Sequence, residues 1–402
     1  MKAVILCAGK ATRCYPLTLT RPKPLLTVAN KPLLQHALEQ LAQLKEIDEV
    51  ILVVGYKKEM IGDWVEKNKH LFHFAISFVE QKEQKGTGHA LAQAKSKIHE
   101  PFLLLHGDDL YFADDMKKLL KHDCAFLVKK VAQPDQFGIV IAEDKKNKHV
   151  LKKIIEKPKE FVGDLANIGC YKLNPEIFSL DIKPSHRGEV EIVDYLTAWA
   201  QEHDVVCVEA VQWVPIPFAW SLLDANKYLL ENLKQKNEGT IESNVTVKGI
   251  VSLGKGTVIK SNSYIEGPVV IGENCTIGPN CYLRPNTSIG DNCKIGFEVE
   301  IKNSIVMNNT HVPHLAYIGD SILGENINVG AGTITANLRH DKGLIRTSLK
   351  GELVDTGKEK LGTIIGDNVK LGIRTLIYPG RKICPHQSTM PGQEVTKDIE
   401  QN

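Results

Sequence analysis

The sequence predicts two domains of different class: a Rossmann-like α/β nucleotide-binding domain over residues 1–236 and a parallel β-helix of hexapeptide repeats over 237–402. Two observations carry the class and a third the boundary. Short apolar runs alternate with helix-period segments through the first half, which implies a mostly parallel sheet. From Ile241 onward, aliphatic residues recur every six positions, the period of a parallel solenoid. Between them, Lys234-Gln-Lys-Asn-Glu-Gly239-Thr240 reads as a linker.

The first run, Val4-Ile5-Leu6, gives way to Ala8-Gly9 and then to Lys10, Arg13 and Lys23. A strand feeding small residues and then long cations suits a phosphate-binding loop. Bare backbone lets N–H groups face an anion, and the cations neutralise what remains. Leu6, Ala8 and Gly9 are thus candidate nucleotide-binding residues, and Arg13 and Lys23 candidate charge-neutralising ones. The loop is neither a Walker loop nor a G-x-G-x-x-G fingerprint. Pro32 opens a helix over 31–46, with Leu33, Leu34, Ala37, Leu38 and Leu41 on one face. Strands at 50–54, 74–80 and 101–106 then alternate with helices at 58–68, 87–97 and 114–121, and a last helix spans 221–235. Ligands of such sheets bind beyond the carboxyl ends of the strands.

Motifs sit at those ends. Gln81-Lys-Glu-Gln84-Lys-Gly86-Thr87-Gly88-His89-Ala90 offers an amide and bare backbone suited to the edge and face of a pyrimidine. Its bland reading is a helix cap at Thr87. Strand 101–106 ends in Gly107-Asp108-Asp109, placing Asp108 where a Mg²⁺ ligand beside a triphosphate belongs, with Asp109 facing out. Gly138 follows Phe137 in a loop between strands, and Glu156 and Asn167 further on suit vicinal hydroxyls and an N-acetyl group.

Composition bounds the rest. Of 402 residues, 43% are hydrophobic and 24% charged, which excludes a disordered or fibrous chain. A formal charge of +2 provides no bulk field to recruit nucleic acid, and no stretch has the length of a membrane helix, so a cytoplasmic protein is expected. Nine cysteines include no C-x-x-C pair and are expected to pack rather than to bind metal.

In the second half, Ile241, Val247, Leu253, Ile259, Ile265, Ile271, Ile277, Leu283, Ile289, Ile295 and Ile301 share one register. Small residues two positions earlier, among them Thr257, Cys275, Cys281 and Cys293, form a second interior column. The register breaks after Ile301, where 308–317 is expected to bulge as a loop carrying His314. It resumes at Leu323 and Val329, breaks again from about 336 to 362, and resumes at Ile365, Leu371, Ile377 and Ile383.

The first half resembles the sugar-1-phosphate nucleotidyltransferases, whose loop ends in Gly-Thr-Arg and is followed by Lys-Pro; Ala11-Thr12-Arg13 and Lys23-Pro24 stand in those places. The resemblance implies UTP as a substrate, with uracil held by Gln81, Gly86 and Thr87, Mg²⁺ on Asp108, and the sugar 1-phosphate on Gly138, Glu156 and Asn167. A segment from Arg187 to Asp194 also matches. The family's second metal ligand has no counterpart in Trp213-Val-Pro-Ile-Pro-Phe218, and Asp224 and Asn226 fall inside the next helix.

The second half resembles the hexapeptide acyltransferases, and the whole chain the bifunctional uridylyltransferase/N-acetyltransferase family. His314-Leu-Ala-Tyr317-Ile-Gly-Asp320 and Asn328-Val-Gly-Ala331-Gly-Thr-Ile-Thr-Ala-Asn337 carry that likeness. It implies acetyl-CoA as co-substrate, contacted at Ala331, with His314 as base. Arg284 and Lys302 would hold the sugar phosphate, with Tyr317, Asn328 and Asn337 beside it; the coil would be a left-handed β-helix and the subunits would form a homotrimer. The family's next lysine falls at Gly343, leaving Lys342 or Arg346 to replace it. Two alternatives stay open. One is a glucose-1-phosphate uridylyl- or thymidylyltransferase whose coil only oligomerises. The other is a non-catalytic regulatory subunit.

Overall fold

The computed structural model describes residues 1–145, 148–185 and 188–401; Arg187 lies outside them. The chain forms two compact units. The first comprises Met1–Lys10, Pro22–Leu25 and Leu33–Pro215, and the second Ala11–Arg21, Leu26–Pro32 and the chain from Ile216 onward.

In the first unit, β1 (Lys2–Cys7), α1 (Leu33–Leu41), β2 (Glu49–Val54), α2 (Lys58–Asn68), β3 (Ala75–Glu80), α3 (Thr87–Gln93), β4 (Phe102–His106) and α4 (Ala113–Leu119) alternate as expected. They are followed by β5 (Ala125–Lys130), β6 (Gly138–Lys145), β7 (Lys148–Glu156), β8 (Leu165–Leu173), α5 (Ile192–Trp199) and β9 (Val206–Glu209). One nine-stranded sheet runs β3-β2-β1-β4-β8-β5-β9-β7-β6. Both faces of its centre are covered: Ala3, Ile5, Leu52 and Leu103 pack into one core, and Val4, Ile51, Val53 and Leu104 into another. A strand buried on both sides reads as a continuous apolar run, which is why Val4-Ile5-Leu6 carries no alternation.

The sheet is parallel where strands alternate with helices, and mixed beyond, where only β9 pairs parallel, with β5. β3, β2, β1 and β4 pair parallel, whereas β8 runs antiparallel to both β4 and β5, and β6 to β7. The reason is chain length: β6 ends at Lys145 and β7 begins at Lys148, too short a connection for the crossover that a parallel pair needs.

The second unit is a parallel β-helix. Among the described residues its short strands fall into three parallel sheets of seven, eight and seven strands, each complete coil giving one strand to each sheet and the last coil a strand to one. From Leu253 to Ile301 the six-residue column is buried, each residue 2% exposed or less. Ile241 and Val247, on the first coil, are exposed, since no coil precedes them to cover that edge. Thr257, Cys275, Cys281 and Cys293 line the interior as expected. The turns use asparagine in the left-handed region, at Asn262, Asn274, Asn280, Asn286 and Asn292, the residue that tolerates it best after glycine.

The expected bulge at 308–317 is absent. Val306, Val312 and Ile318 are buried and stack on Ile289, Ile295 and Ile301. The coil therefore continues through a turn one residue shorter, and only its register slips. The insertion after Thr335 is real and contains an antiparallel hairpin, Arg346–Leu349 with Glu352–Asp355.

The segment Ala11–Arg21 belongs to this second unit through a buried ion pair. Arg21, 7% exposed, places Nη1 2.7 Å from Glu325 and Nη2 2.7 Å from Asp367, and the Thr20 hydroxyl donates to the same Asp367 carboxylate at 2.6 Å. Burial alone would favour the neutral form, but the two carboxylates outweigh it and hold the guanidinium charged. Removing one partner of a buried pair strands the other charges. Arg21→Met is therefore expected to cost about 3–5 kcal/mol in urea unfolding of the full chain; a loss under about 1 kcal/mol would show that the pair is not what holds this segment.

Candidate active sites

In the first unit the motifs gather at the carboxyl ends of β1, β3 and β4. Leu6 is half-buried near the end of β1, Ala8 is buried and Gly9 exposed. The Ala8 carbonyl accepts the Tyr56 N–H at 3.0 Å. Lys23, buried to 4% exposure, puts its ammonium 2.9 Å from Asp108, whose side chain is 47% exposed. The expected cation and the expected metal ligand thus form one ion pair. Arg13 lies in the second unit, exposed on the single turn Thr12–Cys14. Ala11 before it has φ 49 and ψ 51. This is the left-handed conformation that glycine adopts freely, held here by a residue for which it is strained by roughly 1–2 kcal/mol.

Gln81 is buried, and its amide nitrogen donates to the Gly86 carbonyl at 3.1 Å and lies 3.0 Å from His89 Nδ1. It shapes the loop before α3. Gly86 has φ +102, and a Cβ there would come 2.3 Å from the Val190 carbonyl oxygen, so no larger residue fits. Thr87 does not cap α3: its hydroxyl accepts the Ile192 N–H at 3.0 Å, tying α3 to the start of α5.

Gly138 and Glu156 face each other across the β6–β7 ladder. A Cβ on Gly138 would lie 2.8 Å from Glu156 Oε2, so the glycine leaves room for that carboxylate. Asn167 donates to the Tyr171 hydroxyl at 2.9 Å, and burial pushes that phenol well above its ordinary pKa. Asp109 does not face out as expected, because it accepts the Trp213 indole N–H at 3.1 Å, and Phe137 packs edge-on against Trp213 at 5.5 Å. Sequence reasoning missed His106, the last residue of β4. Burial lowers its pKa, and among the described residues its buried Nε2 has no partner. A histidine ending the strand that leads to Asp108 was the available signal.

The donor set suits a magnesium ion carried largely by substrate. Among the described residues no group of three or more His, Cys, Asp or Glu forms a closed metal site. Asp109 is engaged by Trp213, Asp224 by Lys358 at 2.6 Å, and Asn226 by Ala29, Ser288 and Asn286. One accessible carboxylate at Asp108 fits Mg²⁺, which binds through one or two carboxylates plus phosphate oxygens.

In the second unit, Tyr282, Glu300, Tyr317 and Ile334 form one outward ladder across successive coils. Arg284 bonds through its N–H to the Ile301 carbonyl, and Lys302 pairs with Gly319, so both cations extend from neighbouring rungs. Rungs lie about 4.8 Å apart, close enough for both to reach one phosphate. Arg284 is held by Glu300 at 2.8 Å and Lys302 by Asp320 at 3.2 Å. Asp320, 4% exposed, also accepts Asn303 at 2.7 Å and Asn337 at 2.5 Å, and Asn337 reaches the Tyr317 hydroxyl at 3.1 Å. It is the hub that sequence reasoning quoted within the motif but assigned no role.

His314 ends a strand of the adjacent sheet, paired with Phe297, and is exposed. Asn328, also exposed, pairs with His311 in that sheet, and Ala331 lies at the following corner, its carbonyl accepting the Arg374 N–H at 2.7 Å. Of the two replacements for the lysine at Gly343, Arg346 donates to Leu353 within the hairpin, while Lys342 is exposed.

Asp115 supports the first site from below. Its carboxylate, 2% exposed as a residue, accepts the N–H groups of Val211 and Gln212 at 2.9 Å each and pairs with Lys118 at 2.6 Å. Burial would raise its pKa, but the Lys118 and backbone donors outweigh that and lower it. A lowered folded-state pKa contributes stability above the unfolded value, lost as pH falls through the folded one. Asp115→Asn is therefore expected to destabilise by roughly 1–3 kcal/mol at neutral pH. The wild-type advantage should shrink as denaturation is repeated below about pH 4; a pH-independent difference would contradict it.

Residues 2–232 match the nucleotidyl transferase family, and residues 265–399 the GMPPB C-terminal domain. The bifunctional protein GlmU of Methanocaldococcus jannaschii is 42% identical over 405 residues, covering 100% of this chain and 96% of that protein. That of Methanococcus maripaludis strain C7 is 45% identical over 408 residues, with 100% and 96% coverage. A bifunctional sugar-1-phosphate nucleotidylyltransferase/acetyltransferase of Sulfurisphaera tokodaii is 39% identical over 407 residues, covering 99% of this chain and 98% of its own. The structure of apo UDP-glucose pyrophosphorylase superposes with TM-score 0.52 at 25% identity, over 58% of this chain and 100% of that one. A match over more than half the chain and bifunctional relatives alike along its full length, one of them named for both activities, establish that it belongs to the nucleotidyl transferase family, among the bifunctional nucleotidyltransferase/acetyltransferase enzymes.

Proposed function

We propose that the enzyme makes UDP-N-acetylglucosamine in two steps. The first transfers acetyl from acetyl-CoA to glucosamine 1-phosphate, and the second transfers uridylyl from UTP to the resulting N-acetylglucosamine 1-phosphate. The observation that carries this reading is that one chain holds two separate anion-neutralising arrangements, Lys23 with Asp108 in one unit and Arg284 with Lys302 in the other.

In uridylyl transfer, a phosphate oxygen of the sugar ester attacks the α-phosphorus of UTP, and the bond to pyrophosphate breaks. The nucleophile is already an anion, so no protein base is needed and catalysis rests on positioning and charge. Lys23 and Arg13 neutralise the triphosphate, with Leu6, Ala8 and Gly9 leaving the backbone open to it. Gln81, Gly86 and Thr87 form the uracil side, and Gly138, Glu156 and Asn167 the sugar side. Mg²⁺, when bound, would be held by Asp108 and would screen the triphosphate charge.

In acetyl transfer, the amine attacks the thioester carbonyl, His314 takes the proton that the nitrogen loses, and CoA leaves. Arg284 and Lys302 hold the sugar phosphate, Tyr317 and Asn337 the sugar face, and Asn328 and Ala331 the acetyl-CoA side. The reading includes a left-handed coil, a homotrimer and a cytoplasmic location. Exposed Phe297 and Leu315 beside His314, with exposed Ile373 and Met390 on later coils, support the trimer, since a lone coil would leave them in water. The rival in which the coil only assembles subunits gives no role to the outward cations or to the Asp320 network.

His314→Ala is expected to lower acetyl transfer by roughly 10²–10⁴-fold and leave uridylyl transfer unchanged. Asp108→Ala, or chelation of magnesium, should do the reverse, as read by CoA and pyrophosphate release from one preparation. Either variant losing both activities equally, or neither, would contradict the division of labour.

A further inference from the structure

A cavity of about 630 Å³ opens within the second unit, between the segment Ala11–Arg21, the hairpin of the coil insertion and the final coil. That volume suits a small organic ligand. Tyr15, Pro16, Leu19 and Leu349 give it an apolar wall, and none of its lining residues belongs to either active site described above.

Lys382 forms its polar end. The residue is only 6% exposed, and its ammonium donates to the Ser348 carbonyl at 2.5 Å and lies 5.8 Å from the Trp220 ring. Among the described residues no carboxylate stands within ion-pairing distance of it. The nearest acid on the cavity floor, Asp398, is already taken. Its Oδ1 accepts the Lys382 backbone N–H at 3.0 Å, its Oδ2 the Ser348 hydroxyl, and Arg381 stands 3.9 Å away. Among the described residues, two of the three ammonium donors therefore have no hydrogen-bond acceptor, on a side chain that lines an open cavity.

A buried ammonium without a counter-ion is costly, and proteins normally pair such a charge. Burial accordingly pulls the Lys382 pKa below the ordinary lysine value. An anion supplied from outside would restore the balance.

We propose that this cavity is a ligand site for a phosphate monoester with an apolar body, the phosphate meeting Lys382 and the body lying against Tyr15, Pro16 and Leu349. The site is independent of the two reactions, so its test reads binding rather than turnover. Phenyl phosphate serves as the probe in isothermal titration calorimetry of the full chain, with UDP-N-acetylglucosamine and CoA in excess to occupy the active sites. The wild type is expected to bind one phenyl phosphate per chain, more tightly than inorganic phosphate. Lys382→Met should weaken binding about tenfold or more. Leu349→Trp, a half-exposed position where folding is not at risk, should fill the apolar side and weaken it too. Undiminished binding in both variants, or no saturable binding to the wild type, would overturn the proposal.

Discussion

The backbone ladder between successive coils is the constraint on which the second half of the molecule depends. Parallel rungs convert distance along the chain into a fixed lateral step, so residues about eighteen positions apart become neighbours a few ångströms away. Tyr282, Glu300 and Tyr317 become one column in this way, and Arg284 and Lys302 a pair of cations. The interior column of Ile, Leu and Val holds the rungs in register. The exterior is then free to carry charge, provided each charge is held. Glu300 holds Arg284, and Asp320 holds Lys302 while gathering Asn303 and Asn337.

The first half reaches a comparable result by a different route. Three parallel strands end at one edge, and the loops after them deliver Gln81, Asp108 and the small residues of the phosphate loop. Lys23 and Asp108 neutralise each other, which keeps a buried lysine from standing uncompensated. Asp115 fixes the backbone before Trp213, and Trp213 engages Asp109, leaving Asp108 the accessible acid of the Gly107-Asp108-Asp109 turn.

Much of this was legible in the sequence because periodicity is local. The hexad register located the buried column from Leu253 to Ile301, and the interior cysteines followed from it. The slip after Ile301 was misread as a bulge. The turn shortened by one residue lies between Ile301 and Val306, and the polar run Asn308-Asn-Thr-His after it drew the reading of a loop, so Val306 and Val312 were not recognised as the continuing column. Asp109 was misjudged because its partner, Trp213, lies about a hundred residues away. The membership of Ala11–Arg21 in the second unit rests on Arg21 meeting Asp367, 346 positions distant, a contact with no local signature. Ala11 is the converse case: the sequence identified a position where the family has glycine, and the backbone there does take the left-handed conformation.

The central claim is that two transfers on one sugar phosphate are carried by one chain. It is tested most directly by supplying the wild-type enzyme with glucosamine 1-phosphate, UTP and magnesium, then adding acetyl-CoA while following free thiol and pyrophosphate together. The account predicts little pyrophosphate until acetyl-CoA is added, then thiol release followed by an equal amount of pyrophosphate. Rapid pyrophosphate release without acetyl-CoA, or no thiol release at all, would contradict it.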